Sequence, residues 1–217
     1  NISELNEVRS LRWEKTIGDN SEFREVHAYM NDQGVPSKIV EFFSMGNFQE
    51  QGERHYYFNN SSVQAVVKKA DVWVDSNTVI YKETETYYDN NKPVQSRVRS
   101  SEYVDEIEDE NWKQIRPISH TENLEMVDNI LKGKGTFKTH FISVIKGQEQ
   151  LFLLLGEPKN EDRYVTTVLA DHRVPFVNDL LHNLDAYKFR PIEIKFRVVG
   201  GNGQPEFRML TSAEWAD

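Results

Sequence analysis

Thr84-Glu85-Thr86-Tyr87-Tyr88-Asp89-Asn90-Asn91-Lys92-Pro93-Val94-Gln95-Ser96-Arg97-Val98 reads as a strand, a turn and a second strand. Alternation runs up to the two tyrosines, breaks at the polar residues Asp89 to Lys92, and resumes after Pro93. Asp and Asn tolerate the left-handed backbone angles that a tight turn requires. The stretch predicts an antiparallel β-hairpin.

Two earlier stretches share its frame. Ala28-Tyr29-Met30-Asn31-Asp32-Gln33-Gly34-Val35-Pro36-Ser37-Lys38-Ile39-Val40 is one, and Tyr56-Tyr57-Phe58-Asn59-Asn60-Ser61-Ser62-Val63-Gln64-Ala65-Val66-Val67 is the other. The anchor tyrosines Tyr29, Tyr57 and Tyr87 lie 28 and 30 residues apart. That period accommodates two strands and two connections, so three hairpins in series give a meander of about six antiparallel strands. Gly46 to Gly52 and Val74 to Val79 supply the turns between units. In the second copy, alternation puts Val63, Ala65 and Val67 on one face and Val66, Ala70, Val72 and Val74 on the other.

The frame resembles the Tyr-Tyr-x-Asn-Gly hairpin repeats of MORN-type and antitoxin-type bacterial proteins, over residues 25–104. The glycine of that pattern is replaced in all three copies, by Asp32, Asn60 and Asn90, and the period here is longer. The resemblance implies a repeated β-meander and brings no catalytic residue with it.

Outside the repeats, residues 1–22 form a leading segment, a short helix or an edge strand, broken at Gly18-Asp19-Asn20. The run Glu102-Tyr103-Val104-Asp105-Glu106-Ile107-Glu108-Asp109-Glu110 lacks the spaced ligands and central glycine of a calcium loop and reads as a solvated acidic connection. A helix is expected over Ser119 to Leu131, capped by Thr121, with Leu124, Val127 and Leu131 inward and Gly133 ending it. Strands follow at Phe137 to Ile145, Gln150 to Leu155 and Arg163 to Leu169, with turns at Lys146-Gly147-Gln148 and Gly156 to Asn160. A helix from Pro175 to Leu184 places Phe176, Leu180, Leu181 and Leu184 inward. Ile192 to Val199 alternates, Gly200-Gly201-Asn202-Gly203 turns, and Glu206 to Leu210 returns. Three strands, a helix and two strands are similar to the OB-fold in element order; a small α+β sandwich fits the same string. The expected fold is mainly β (α+β): a hairpin-repeat meander over 1–118, a helical linker over 119–134 and an OB-like β-β-β-α-β-β domain over 135–217.

Of the formal charge of −9, residues 1–132 carry all of it, with 24 acidic against 15 basic side chains; residues 133–217 hold 11 of each. The acidic part is a poor partner for nucleic-acid phosphates. The chain has no cysteine, which excludes disulfides, thiolate catalysis and cysteine-based zinc sites. No apolar run approaches the roughly 20 residues of a membrane span. The Asn1-Ile2-Ser3-Glu4 start suits the residues after a bacterial lipoprotein's lipidated cysteine, and equally an arbitrary truncation. Export to the cell envelope or periplasm, with a lipid anchor ahead of Asn1, is the expectation carried forward.

Chemistry is sparse. Asp171-His172-Arg173 puts an acid beside a histidine, but neighbours in sequence seldom face each other, and no nucleophile elbow or His-Glu-x-x-His stands with them. The six histidines show no metal-ligand spacing. The expectation is therefore a non-enzymatic binding or interaction protein without cofactor or metal, whose ligand is a protein, a glycan or a lipid. A lipid carrier with a curved-sheet cavity, and an oligonucleotide- or glycan-binding OB-like module, are the alternatives. Tyr29, Tyr57 and Tyr87 are candidate ligand-stacking residues, as a ladder on one sheet face or as mere hairpin braces. On the OB-like surface the candidates are Phe152, Lys159, Arg163 and Tyr164.

Overall fold

The computed structural model describes residues 6–18, 20–46, 49–75, 77–147, 150–158, 163–201 and 204–216. It is mainly β, mostly antiparallel, with few helices. The strands are β1 (Asn6–Arg9), β2 (Trp13–Ile17), β3 (Asn20–Met30), β4 (Pro36–Ser44), β5 (Glu50–Asn59), β6 (Ser62–Trp73), β7 (Val79–Asp89), β8 (Lys92–Ser101) and β9 (Lys113–Ile115). After helix α1 (Thr121–Lys132) come β10 (His140–Lys146), β11 (Leu151–Gly156), β12 (Val165–Ala170), helices α2 (Pro175–His182) and α3 (Leu184–Tyr187), β13 (Ile192–Gly201) and β14 (Gln204–Trp215). The chain divides into two compact units, Asn1–Ser10 with Thr16–Leu131, and Leu11–Lys15 with Lys132–Asp217. The acidic run belongs to the first, where Val104–Asp109 forms a 3-10 turn against β7 and β8 with Ile107 buried. Of the expected turns, Asp19, Asn47, Phe48, Ser76, Gln148, Lys159, Asn160, Asn202 and Gly203 lie outside the described residues.

In the first unit each strand from β3 to β9 pairs antiparallel with the next, and β1 pairs with β3. The second and third hairpin tips are two-residue turns with both central residues at positive φ: Asn60 (48°) and Ser61 (66°), then Asn90 (49°) and Asn91 (60°). This mirror-image turn matches the right-handed twist of the strands it joins. The first tip is wider. Asn31 Oδ1 accepts from the amides of Gln33 and Val35, and Gly34 takes φ 72°.

All three hairpins share an irregularity that alternation alone does not reveal. The register shifts immediately after each anchor tyrosine, between Tyr29 and Met30, Tyr57 and Phe58, and Tyr87 and Tyr88. Ser37, Gln64 and Val94 are the extra residues on the returning strands. The expected side for Val63 is corrected by this bulge: it moves to the face of Val66 and both are buried, while Ala65 and Val67 face the other way. Val74 lies beyond β6 and is exposed.

One face of this sheet is buried. Val26, Ala28, Ile39, Phe43, Tyr56, Val66 and Ala70 lie on it, by register, and are almost wholly buried. Gly52 lets β6 close onto β5, because a Cβ there would lie 2.1 Å from the Lys69 carbonyl oxygen. The segment 118–120 crosses this inward face: the Ile118 amide donates to Ser96 Oγ (3.0 Å) and the His120 amide to Tyr88 Oη (2.9 Å). His120 then starts α1, its carbonyl accepting from Leu124 (3.0 Å), so Thr121 is the first helical residue and not the cap. Val127 and Ile130 are the buried residues of α1, while the expected Leu124 and Leu131 are only half-buried.

In the second unit β10, β11 and β12 pair antiparallel in succession. β12 meets β14 in parallel at Leu169 and Met209, and β14 pairs antiparallel with β13. The start of β13 returns to β10 through the His140–Pro191 bridge and the Phe141 amide bond to the Arg190 carbonyl (2.9 Å). Glu14 of β2 pairs with Val165. Phe141, Leu153, Leu155, Val168 and Leu210 are buried. β10 starts later than expected because Gly135–Phe137 coils into a 3-10 turn, which seats Phe137 against Trp13 (5.6 Å) and Tyr164 (4.9 Å). α2 buries Val177 and Leu180; Phe176, Leu181 and Leu184 are half-buried instead, Phe176 lying against Trp215 of a β14 that runs well past Leu210.

Candidate functional site

The outward face of the first unit's sheet brings the three anchor tyrosines together. Tyr29 pairs with Lys38, Lys38 with Tyr57, Tyr57 with Ala65, Ala65 with Tyr87, and Tyr87 with Gln95. Directly paired residues point to the same face, so these side chains form one row across six strands, from β3 to β8. Each tyrosine is two strands from the next, about 10 Å. The row follows from the repeat itself, since each tyrosine stands at the same place relative to its turn and its bulge. Tyr57 and Tyr87 are each 38% exposed, and Tyr29 is half-buried.

Charged groups interleave with the rings. The Lys38 ammonium stands 5.9 Å from the Tyr29 ring centre and 5.5 Å from that of Tyr57. Glu85 accepts from Tyr87 Oη (2.8 Å) and from Arg97 Nε (2.6 Å), and the Arg97 guanidinium also lies 4.4 Å from the Trp112 ring centre. Arg99 reaches Glu83 at 2.6 Å and covers Trp112 from 4.6 Å. Gln95 donates to Gln114 (3.3 Å). At the other end His27 lies 2.7 Å from Glu25 and 3.3 Å from Glu7. These neighbours set the titration of the phenols. Burial, then the Glu7 carboxylate, pushes Tyr29 up; the hydrogen bond to Glu85, then burial, pushes Tyr87 up. Both rings stay neutral donors at ordinary pH.

The inward face carries a second group of charges. Glu41 is fully buried between Arg24 (2.5 Å) and Arg54, and accepts from Tyr56 Oη (3.1 Å). Lys68 pairs with Glu50 (2.5 Å), yet burial holds its ammonium below the usual lysine range. The His120 imidazole is pushed down to about 4, first by burial and then by the charges of Arg54 and Lys68. A buried carboxylate with two guanidiniums and a phenol is satisfied as a unit and expensive to break.

Phe152, Arg163 and Tyr164, expected to serve an OB-like surface, are each half-buried. Phe152 packs with Phe207 (6.2 Å) and Tyr164 with Phe137, while Arg163 donates to the Pro158 carbonyl (3.3 Å). Lys159 lies outside the described residues. In the Asp171-His172-Arg173 trio the carboxylate is held by Arg173, whose side-chain hydrogen bonds bring Asp171 down to about 2. No group of three acidic or histidine side chains able to hold a metal occurs among the described residues, and no helix among them is long and apolar enough to cross a membrane.

Sequence reading missed Lys38, Glu85, Arg97 and Trp112 at the row, and the Glu41 group behind it. A signal for the latter exists: Ile39-Val40-Glu41-Phe42-Phe43 places a carboxylate in phase with inward-facing Ile39 and Phe43. Comparison with known proteins finds no matching family model, no matching curated protein and no matching solved structure.

Proposed function

We propose that the chain is a non-enzymatic binding protein of the cell envelope, and that the tyrosine row is where it holds an extended glycan. The observation that carries this reading is the register that aligns Tyr29, Tyr57 and Tyr87 in one cross-strand row with the last two rings partly open. A pyranose presents a C–H face to an aromatic ring and hydroxyl groups at its edge. The row offers rings at a spacing comparable to two linked sugars, with the carboxylate, guanidinium and amide of Glu85, Arg97 and Gln95 beside them for the hydroxyls. The Asp171 carboxylate is held by Arg173 rather than by His172. The carrier alternative has less behind it, because the sheet's inward face holds Glu41, Arg24, Arg54 and Lys68 where an acyl chain would need apolar walls.

The finer fold belongs to the same proposal. The first unit is read as a hairpin-repeat meander like the MORN-type and antitoxin-type repeats, supported by the bulge that recurs after each tyrosine. The second is read as an OB-like barrel, supported by the strand order β10–β11–β12–β14–β13, its parallel β12–β14 contact and the return of β13 to β10.

Affinity electrophoresis through gels cast with soluble polysaccharides, with sedimentation on insoluble cell-wall glycan alongside, tests the function. Retardation or co-sedimentation by at least one glycan, abolished in the Tyr57→Ala/Tyr87→Ala double variant, is the expected outcome. Migration unaffected by every glycan, or equal binding by the variant, removes the reading. Fractionation of cells making the natural gene product tests the location.

A further inference from the structure

The outward face of the first unit also carries a hollow, away from the tyrosine row. Phe42, Glu53 and Lys69 pair directly across β4, β5 and β6, and Gln51, Asp71 and Tyr81 across β5, β6 and β7, so both sets turn to that face. Between the two sets Phe43, Gly52 and Ala70 turn inward and leave a gap. The result is a cavity of about 370 Å³, within the size range of small-molecule sites. We propose that this cavity binds a free diamino acid of the lysine or ornithine kind, its α-carboxylate at Lys69 and its two ammonium groups at Asp71 and Glu53.

The charges of the cavity match that ligand group for group. Asp71 has no ion pair among the described residues and accepts from the Gln51 amide (3.2 Å). Glu53 lies 2.8 Å from His55, but burial holds that imidazole below the usual histidine range, so at neutral pH it leaves the carboxylate without a cation. Lys69 stands between Glu53 and Glu83 in register and turns to Glu83 at 3.5 Å, a carboxylate that Arg99 already holds at 2.6 Å. The Lys69 side chain is 41% exposed, and its ammonium can meet a ligand carboxylate without stranding Glu83. The Tyr81 hydroxyl makes no hydrogen bond among the described residues. Burial, then the carboxylates of Glu83, Glu53 and Asp71, pushes this phenol up, which marks a negative field at the cavity wall. Glu53 and Asp71 are diagonal neighbours on adjacent strands, about 7–8 Å apart, a separation that the two nitrogens of an extended lysine bridge. The methylenes between those nitrogens then lie against the half-buried rings of Phe42 and Tyr81.

Isothermal titration of the whole chain with L-lysine and L-ornithine is the test, alongside two comparators that each lack one charge. L-Norleucine has no side-chain ammonium, and cadaverine has no carboxylate. Saturable binding of a diamino acid is expected, with each comparator weaker by about tenfold or more. Asp71→Asn should weaken the diamino acid about tenfold. The Tyr57→Ala/Tyr87→Ala variant should bind it unchanged, because Tyr81 and Tyr87 stand about 20 Å apart along β7. The comparators need no variant, so the test stands even where a substitution prevents folding. No saturable binding of either diamino acid, equal binding of norleucine or cadaverine, or undiminished affinity in folded Asp71→Asn overturns the proposal. Loss of the diamino acid from the folded tyrosine variant overturns it too. A failure of glycan binding leaves all of these outcomes untouched.

Discussion

Tyr57 and Tyr87 flank a single methyl group: Ala65 is the direct cross-strand partner of Tyr57 on one side and of Tyr87 on the other. The neighbouring interval, between Tyr29 and Tyr57, is filled by Lys38, whose ammonium reaches both rings. The row therefore has one open notch and one that is closed by a cation. Under the proposed glycan reading, sugar rings are expected to settle in the open one.

Neighbouring tyrosines should separate sharply under alanine substitution. Tyr56 and Tyr88 point inward and are buried, while Tyr57 and Tyr87 point outward. Tyr57→Ala and Tyr87→Ala should each lower stability by less than about 1 kcal/mol. Tyr56→Ala and Tyr88→Ala should each cost about 3 kcal/mol or more. Urea denaturation midpoints with unchanged slopes check both expectations.

Glu41 should be intolerant of single replacement. Glu41→Ala leaves Arg24 and Arg54 buried without their shared counter-charge, a loss of about 3–5 kcal/mol. Replacing all three together with apolar residues of similar volume should recover most of that loss. Guanidinium unfolding of the single and triple variants measures the difference.

His120 gives the fold a pH dependence of known sign. Its folded-state value, pushed down to about 4, lies below the ordinary value of 6.5, so the unfolded chain binds the proton more readily. The stabilisation is complete above about pH 6.5 and is lost as pH falls toward 4, by roughly 3 kcal/mol across that window. His120→Gln should flatten the stability profile between those values. A profile that stays as steep in the variant assigns the acid sensitivity to other groups.

Ser61→Gly should stabilise the protein by about 1 kcal/mol. Ser61 takes φ 66° in the second hairpin turn, a conformation that costs a side-chain-bearing residue about that much and glycine almost nothing. Thermal unfolding of the variant should show a higher midpoint.

Much of the first unit was readable because its signals are local. Asn90 and Asn91 mark a turn by their own chemistry, and the spacing of Tyr29, Tyr57 and Tyr87 aligns them once strands pair in sequence. The bulges were not readable, since Ser37, Gln64 and Val94 have no residue type in common; alternation counted across Gln64 sends Val63 to the wrong face. Within Tyr56-Tyr57 and Tyr87-Tyr88, composition does not say which ring turns outward, because that depends on the register of the whole sheet. Long-range partners were hidden for the same reason. Arg24 and Arg54 meet at Glu41 from strands that only the fold makes adjacent, and Trp215 meets Phe176 from separate elements.

The recurring bulge has a consequence for how such a surface grows. Each hairpin arrives with its tyrosine, its extra residue and its turn already in phase, so duplication of one hairpin-coding segment would add a ring to the row without resetting any existing register. On the proposed glycan reading, reach along the polymer would then be inherited in whole steps of two strands, and avidity would rise with copy number while the chemistry of each contact stayed the same.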